Sequence, residues 1–155
     1  MKNSAGTEVW SGTVGNRSFT LGGLTAGEYT VSVSEGPADH SLKSAREQKV
    51  TINNDGTVSG AASFTFEQNT GAVNGSVSGL VSGEVTVELR DAQNRPAGQQ
   101  TVGNGSFSFP GVTAGEYTVV VSGGPADHKL MSASSQKITI NNDGKASGAC
   151  LLYTS

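Results

Sequence analysis

An internal repeat limits what this chain can fold into more than any other feature. Residues 13–61 align without a gap on residues 101–149, Thr13 standing opposite Thr101 at a constant offset of 88, and 35 of the 49 aligned positions are identical. T-A-G-E-Y-T-V occurs at 25–31 and 113–119, G-P-A-D-H at 36–40 and 124–128, and I-N-N-D-G at 52–56 and 140–144. A period of 88 is longer than the repeat of a solenoid or a propeller blade and has the size of a small independent domain. The chain is therefore read as two tandem modules.

Within one module the hydrophobic pattern has period two. Val85, Val87 and Leu89 alternate with Thr86, Glu88 and Arg90, and Phe107 and Phe109 alternate with Ser106 and Ser108. Tyr117, Val119 and Val121 form a third such face, Ile138 and Ile140 a fourth, and Phe64 and Phe66 a fifth. Val73 and Val77, with Gly75 between them, mark a weaker opening strand. Such alternation is the signal of strands buried on one face. The breaks are turn chemistry: Asn104-Gly105, Ala114-Gly115-Glu116, Gly123-Gly124-Pro125 and Asn142-Asp143-Gly144. No window carries a helical stripe, and 22 glycines without a G-x-y period exclude collagen. Six or seven short strands per module predict an all-β chain of two tandem antiparallel β-sandwiches.

The polar stretch E-Q-N-T-G at 67–71 divides the modules, giving 1–68 and 69–149. At the same offset Met1 falls opposite Leu89, so the first module is expected to lack its opening two strands, the counterparts of 71–88. Identity stops at Cys150, where A-S-F-T-F-E of the first copy (62–67) is replaced by C-L-L-Y-T-S. Residues 150–155 are accordingly expected to be a non-native tail, and the second module to lack its last strand.

Charge narrows the classes of partner. Ten basic against thirteen acidic residues leave a net charge of −3, which offers no basic footprint for nucleic acid and no polybasic membrane patch. No run of about 18 apolar residues is present, so no membrane insertion is expected. The N-terminal M-K-N-S-A-G-T-E lacks the apolar stretch of a signal peptide. One cysteine, Cys150, makes no internal disulfide.

The repeated groups with a catalytic look are Asp39-His40 and Asp127-His128, and these four are the candidate ligand-binding residues. As metal ligands they would need further convergent donors, which their Ser, Leu, Lys and Ala neighbours do not offer. Their plainer reading is a polar loop after a proline turn. Asn53-Asn54-Asp55-Gly56 lacks the alternating acids and closing Glu of a calcium loop and reads as a hairpin turn. No G-x-S-x-G elbow occurs, and nothing in the sequence indicates the buried acid behind either His that a triad would need. No catalytic residue, metal ligand or cofactor is expected. Trp10 with Tyr29 and Tyr117 would make a sugar platform, but Gly98 stands opposite Trp10 and the tyrosines lie in the core-facing phase.

The string G-S-F-S-F-P-G-V-T-A-G-E-Y-T-V-V-V at 105–121 resembles the prealbumin-like family, which includes the Cna B-type repeats of Gram-positive surface proteins and the carboxypeptidase regulatory-like domains. Its pattern is matched at Phe107, Phe109, Gly111, Gly115, Tyr117 and Val119, and again at Phe19, Leu21, Gly23, Gly27, Tyr29 and Val31. V-T-V-E-L-R-D at 85–91 resembles the preceding strand, so the likeness covers nearly all of each module. It implies a prealbumin-like or immunoglobulin-like sandwich from an extracellular bacterial surface or secreted, adhesin-like protein, and it says more about fold than about function. Many Cna B-type modules carry a Lys–Asn or Lys–Asp isopeptide bond promoted by a Glu four residues after the hairpin Tyr. Here Val33 and Val121 fill that place and the 85–89 strand supplies no inward Lys, so no cross-link is expected.

Two functions follow from these readings. The first is a non-catalytic spacer, for which near-identical tandem copies suffice because a stalk needs length, with neighbouring repeats as its partners. The alternative is a module that grips glycan or host matrix protein through the end loops 36–41 and 124–129, with avidity from repetition.

Overall fold

The computed structural model describes residues 1–148 and 150–153, the last four by their backbone alone. The described chain is all-β, with fourteen strands and no helix. It divides into two compact units, one of Met1–Pro37 with Ser41–Glu67 and the other of Ala38–His40 with Gln68 onward.

The chain enters through β1 (Lys2–Asn3), β2 (Gly27–Ser32), β3 (His40–Leu42), β4 (Glu47–Ile52), β5 (Val58–Ser59) and β6 (Phe66–Gln68). It continues through β7 (Thr70–Ser78), β8 (Val85–Asp91), β9 (Pro96–Val102), β10 (Gly105–Thr113), β11 (Gly115–Ser122), β12 (Ser135–Ile140), β13 (Ala146–Ser147) and β14 (Cys150–Tyr153).

In the second unit a five-stranded sheet, ordered β13-β12-β11-β8-β9, and a three-stranded sheet, ordered β10-β7-β14, share one core. The period-two pattern explains that core. Val85, Val87 and Leu89 of β8, Val119 and Val121 of β11, and Ile138 and Ile140 of β12 are buried. From the other sheet come Val73 and Val77 of β7 and Phe107, Phe109 and Val112 of β10. Burying this apolar surface is the main force holding the sheets together. The Phe107 and Phe109 rings meet edge to face, 6.0 Å apart at 65°. Tyr117 sits half-buried at the margin of the cluster. In β9, Gly98 leaves room for the Phe109 ring, which a Cβ there would approach to 2.8 Å.

Two strands of this unit escaped the hydrophobic pattern. β9, P-A-G-Q-Q-T-V, pairs only with β8 and lies at the sheet edge, so little of it needs to be apolar, and its proline stands at the first residue. β13 is two residues long. Residues 150–155 were set apart by sequence as a tail. Thr154 and Ser155 lie outside the described residues, and the backbone of Cys150–Tyr153 forms β14, parallel to β7 from Cys150 opposite Gly75 to Tyr153 opposite Ser78.

The first unit repeats the larger sheet in shortened form, ordered β1-β2-β4-β5. Lys2 and Asn3 pair with Thr30 and Tyr29, as Arg90 and Asp91 pair with Thr118 and Tyr117. Gly27 faces Ile52 as Gly115 faces Ile140. Tyr29 and Val31 are buried, whereas Val50 and Ile52 stay half-buried where their counterparts Ile138 and Ile140 are fully enclosed. The alternation S-F-T-L at 18–21 predicts a strand like β10, but residues 17–25 join no ladder. β10 is a strand through its bonds to β7, and the described residues of the first unit hold no strand in that place. Phe64 likewise lies outside any strand, and only Phe66 enters one, in β6. Trp10 stacks on Phe19 with ring centroids 6.5 Å apart and planes 4° apart.

Candidate functional site

The Asp-His loop of the second unit follows β11. Pro125 presets a tight turn closed by the His128 N–H donating to the Pro125 carbonyl at 3.1 Å. Gly83 permits the turn to pack close, since a Cβ at that position would lie 2.6 Å from Pro125 Cγ. This seats the His128 side chain nearly out of solvent, 6% exposed, while the Asp127 side chain is 76% exposed.

Both ring nitrogens of His128 are engaged. Nε2 accepts from the Val81 backbone N–H at 3.0 Å, and Nδ1 lies 2.8 Å from Asp127 Oδ1. An acceptor at Nε2 requires the ring proton on Nδ1, which then donates to Asp127. That hydrogen bond from His128 is the main cause holding the Asp127 carboxyl below its usual range. The Asp-His pair thus braces the loop after β7.

Asn104 grips the same loop from the β9–β10 turn. Its Oδ1 accepts from the Leu80 N–H at 2.9 Å and its Nδ2 donates to the Leu80 carbonyl. Between them Asn104 and His128 satisfy three backbone groups at residues 80–81 that no strand pairs, and Leu80 is thereby held in the core at 6% exposure. The two on Leu80 are part-buried, where an unpaired group costs about 1–3 kcal/mol. Sequence reasoning treated Asn104 as a turn residue. Its recurrence as Asn16 was the available hint, but a side-chain-to-backbone clamp across 24 residues leaves no local pattern.

Leu80, Val85, Val121, Pro125, His128 and Leu130 line a cleft of about 40 Å³. Sites for small molecules run to roughly 300–1,000 Å³, so this cleft has room for water and not for a sugar ring.

Asp39 and His40 repeat the pair, with Nδ1 to Oδ1 at 2.8 Å, but their side chains are about one third exposed, 33% and 31%. Gln68 Nε2 donates to Asp39 Oδ2 at 3.2 Å, and the Asn69 N–H donates to the Asp39 carbonyl at 2.7 Å. The hydrogen bond from His40, then that from Gln68, holds the Asp39 carboxyl below its ordinary value. The structure does not bring the four candidate residues together. Among the described residues no group of three or more His, Cys, Asp and Glu side chains converges as metal ligands would.

The remaining perturbed acids are turn residues. Asp91 is held low chiefly by the Arg95 backbone N–H, Asp143 by that of Lys145, and Asp55 by the Thr57 hydroxyl. Each carboxylate closes a hairpin turn by accepting from the backbone two to four residues on. No helix is long and apolar enough to cross a membrane among the described residues. No family model matches the chain, and no curated protein matches it either.

Proposed function

We propose that the chain is a non-catalytic spacer from an extracellular, bacterial surface or secreted, adhesin-like protein, built of prealbumin-like sandwich repeats. One observation carries this reading: in the second copy the repeated polar pair is spent on framework bonds. His128 has both nitrogens engaged, one of them on a backbone N–H, which leaves its ring no free position for substrate or metal. The cleft beside it, at about 40 Å³, holds no ligand-sized space. The 88-residue offset, kept in strand register as well as in sequence, supports a module valued for its dimensions.

Arrays with increasing numbers of the 88-residue repeat test the proposal. A spacer gives a contour length, measured by small-angle scattering or electron microscopy, that rises linearly with repeat number. The same arrays stay blank on a glycan array and a matrix-protein panel. Saturable binding that D127A and H128A abolish would replace the spacer with a module binding glycan or host protein through its end loops.

A further inference from the structure

In the second unit β7 and β14 lie side by side and run the same way, Cys150 opposite Gly75 and Tyr153 opposite Ser78. A pull on the chain before Thr70 draws β7 toward its start. An opposite pull on the chain after Tyr153 draws β14 toward its end. The two forces run along the strands in opposite directions and shear the ladder between them. Under shear the inter-strand bonds carry the load together, whereas a force across the strands opens them one at a time. The other flank of β7 adds resistance, because its pairs with β10, from Thr70 opposite Thr113 to Val77 opposite Gly105, also lie along the pull.

The side chains of β7 oppose a slide. Val73 and Val77 are 0% and 2% exposed, and a slip of two residues toward the start of the strand would set Gly75 and Gly79 in their places. Such a slip keeps the strand phase but empties two core sites, so the slipped register is costly. At the entry end, a Cβ at Gly71 would overlap the Gly144 carbonyl. The same slip carries Val73 to that place, and its side chain cannot pass while the 141–144 turn stays closed. Asn69 fastens the strand to that turn, its Nδ2 donating to the Asn142 carbonyl at 2.9 Å.

We propose that the β7–β14 pair is a force-bearing clamp, through which the second unit withstands tension along the chain better than tension across its strands. The value of such a clamp to a surface stalk rests on the spacer reading, whereas the resistance itself does not.

The test pulls single molecules of the full chain between two attachment points, with C150S removing the native thiol. Handles on Q68C and on a cysteine added after Ser155 load β7 against β14 in shear. Handles on Q68C and Q93C pull β7 across the strands from one end of the unit. Gln93 lies at that end because Asp91 faces Tyr117, beside the β10–β11 turn whose Thr113 faces Thr70. At equal loading rate the first geometry should rupture at about twice the force of the second or more, forced unfolding being governed by the unfolding rate. L151P and L152P supply the second arm. Alternate residues of a strand turn their N–H to the same neighbour, so one of these prolines takes a bond out of the β7–β14 ladder and should lower the shear force. Equal forces in the two geometries, or a shear force that neither proline lowers, would overturn the clamp. Repeat arrays that fail to lengthen would remove the spacer and leave the clamp standing.

Discussion

The Tyr117 hydroxyl donates to the Thr113 backbone carbonyl at 3.0 Å, tying the start of β11 back to the end of β10. Tyr29 makes the same bond to Thr25 at 2.9 Å. The ring fills the core margin while its hydroxyl locks the hairpin, which is the arrangement of a tyrosine corner. Y117F should therefore lower the stability of the second unit by about 1 kcal/mol, the net worth of one such bond. Y29F should do the same in the first. Thermal unfolding of both variants checks this, and a Y117F transition identical to the parent would contradict it.

His128 and His40 should separate in cost although their loops share a sequence. H128A removes the hydrogen bond to the Val81 N–H, worth about 0.5–1.5 kcal/mol, together with the packing of a nearly enclosed ring. His40 is more exposed, and H40A should cost less. Denaturant unfolding of the two variants gives the order, and a costlier H40A would refute the bracing role of His128.

Gly144 and Gly56 occupy equivalent turns with φ of 83° and 81°. A Cβ at Gly144 would lie 2.5 Å from the Thr70 carbonyl, whereas one at Gly56 meets nothing within 4 Å. G56A should cost about 1 kcal/mol, the penalty of left-handed backbone alone. G144A should cost more, because backbone must also move. Equal losses would mean that β7 does not press on this turn.

Acid should weaken the fold through its turn carboxylates. Asp91, Asp143 and Asp55 have folded pKa values below the unfolded one, so their contribution is complete above about pH 4 and is lost as pH falls through the folded values. The melting temperature should hold steady above about pH 5 and fall below about pH 4. D91N, which keeps an acceptor at Oδ1, should flatten that fall. An unchanged slope in D91N would show that Asp91 is not a source of it.

Every lysine is exposed, so none stands in the apolar interior to attack an Asn or Asp side chain there. Intact mass spectrometry should return the plain sequence mass. A deficit of one ammonia or one water would reveal an isopeptide bond.

The sequence by itself determined the repeat, the all-β class and the inward face of the main strands. Val87, Leu89, Phe107, Phe109 and Val119 are buried where period two placed them, because alternation is a local property that any half-buried strand must obey. The strand pairing of each copy was decided elsewhere. S-F-S-F at 106–109 is a strand and S-F-T-L at 18–21 is not, since a ladder needs a neighbour and only the first has β7 beside it. The Asp-His pairs divided in the same way. Their recurrence at 39–40 and 127–128 was plain, but the bond of His128 to Val81, 47 residues away, exists only once β7 and the 125–130 loop have been folded together. Local chemistry sets which side of a strand is apolar, while the long-range hydrogen bonds that turn a polar pair into a brace depend on which segments the tertiary fold makes neighbours.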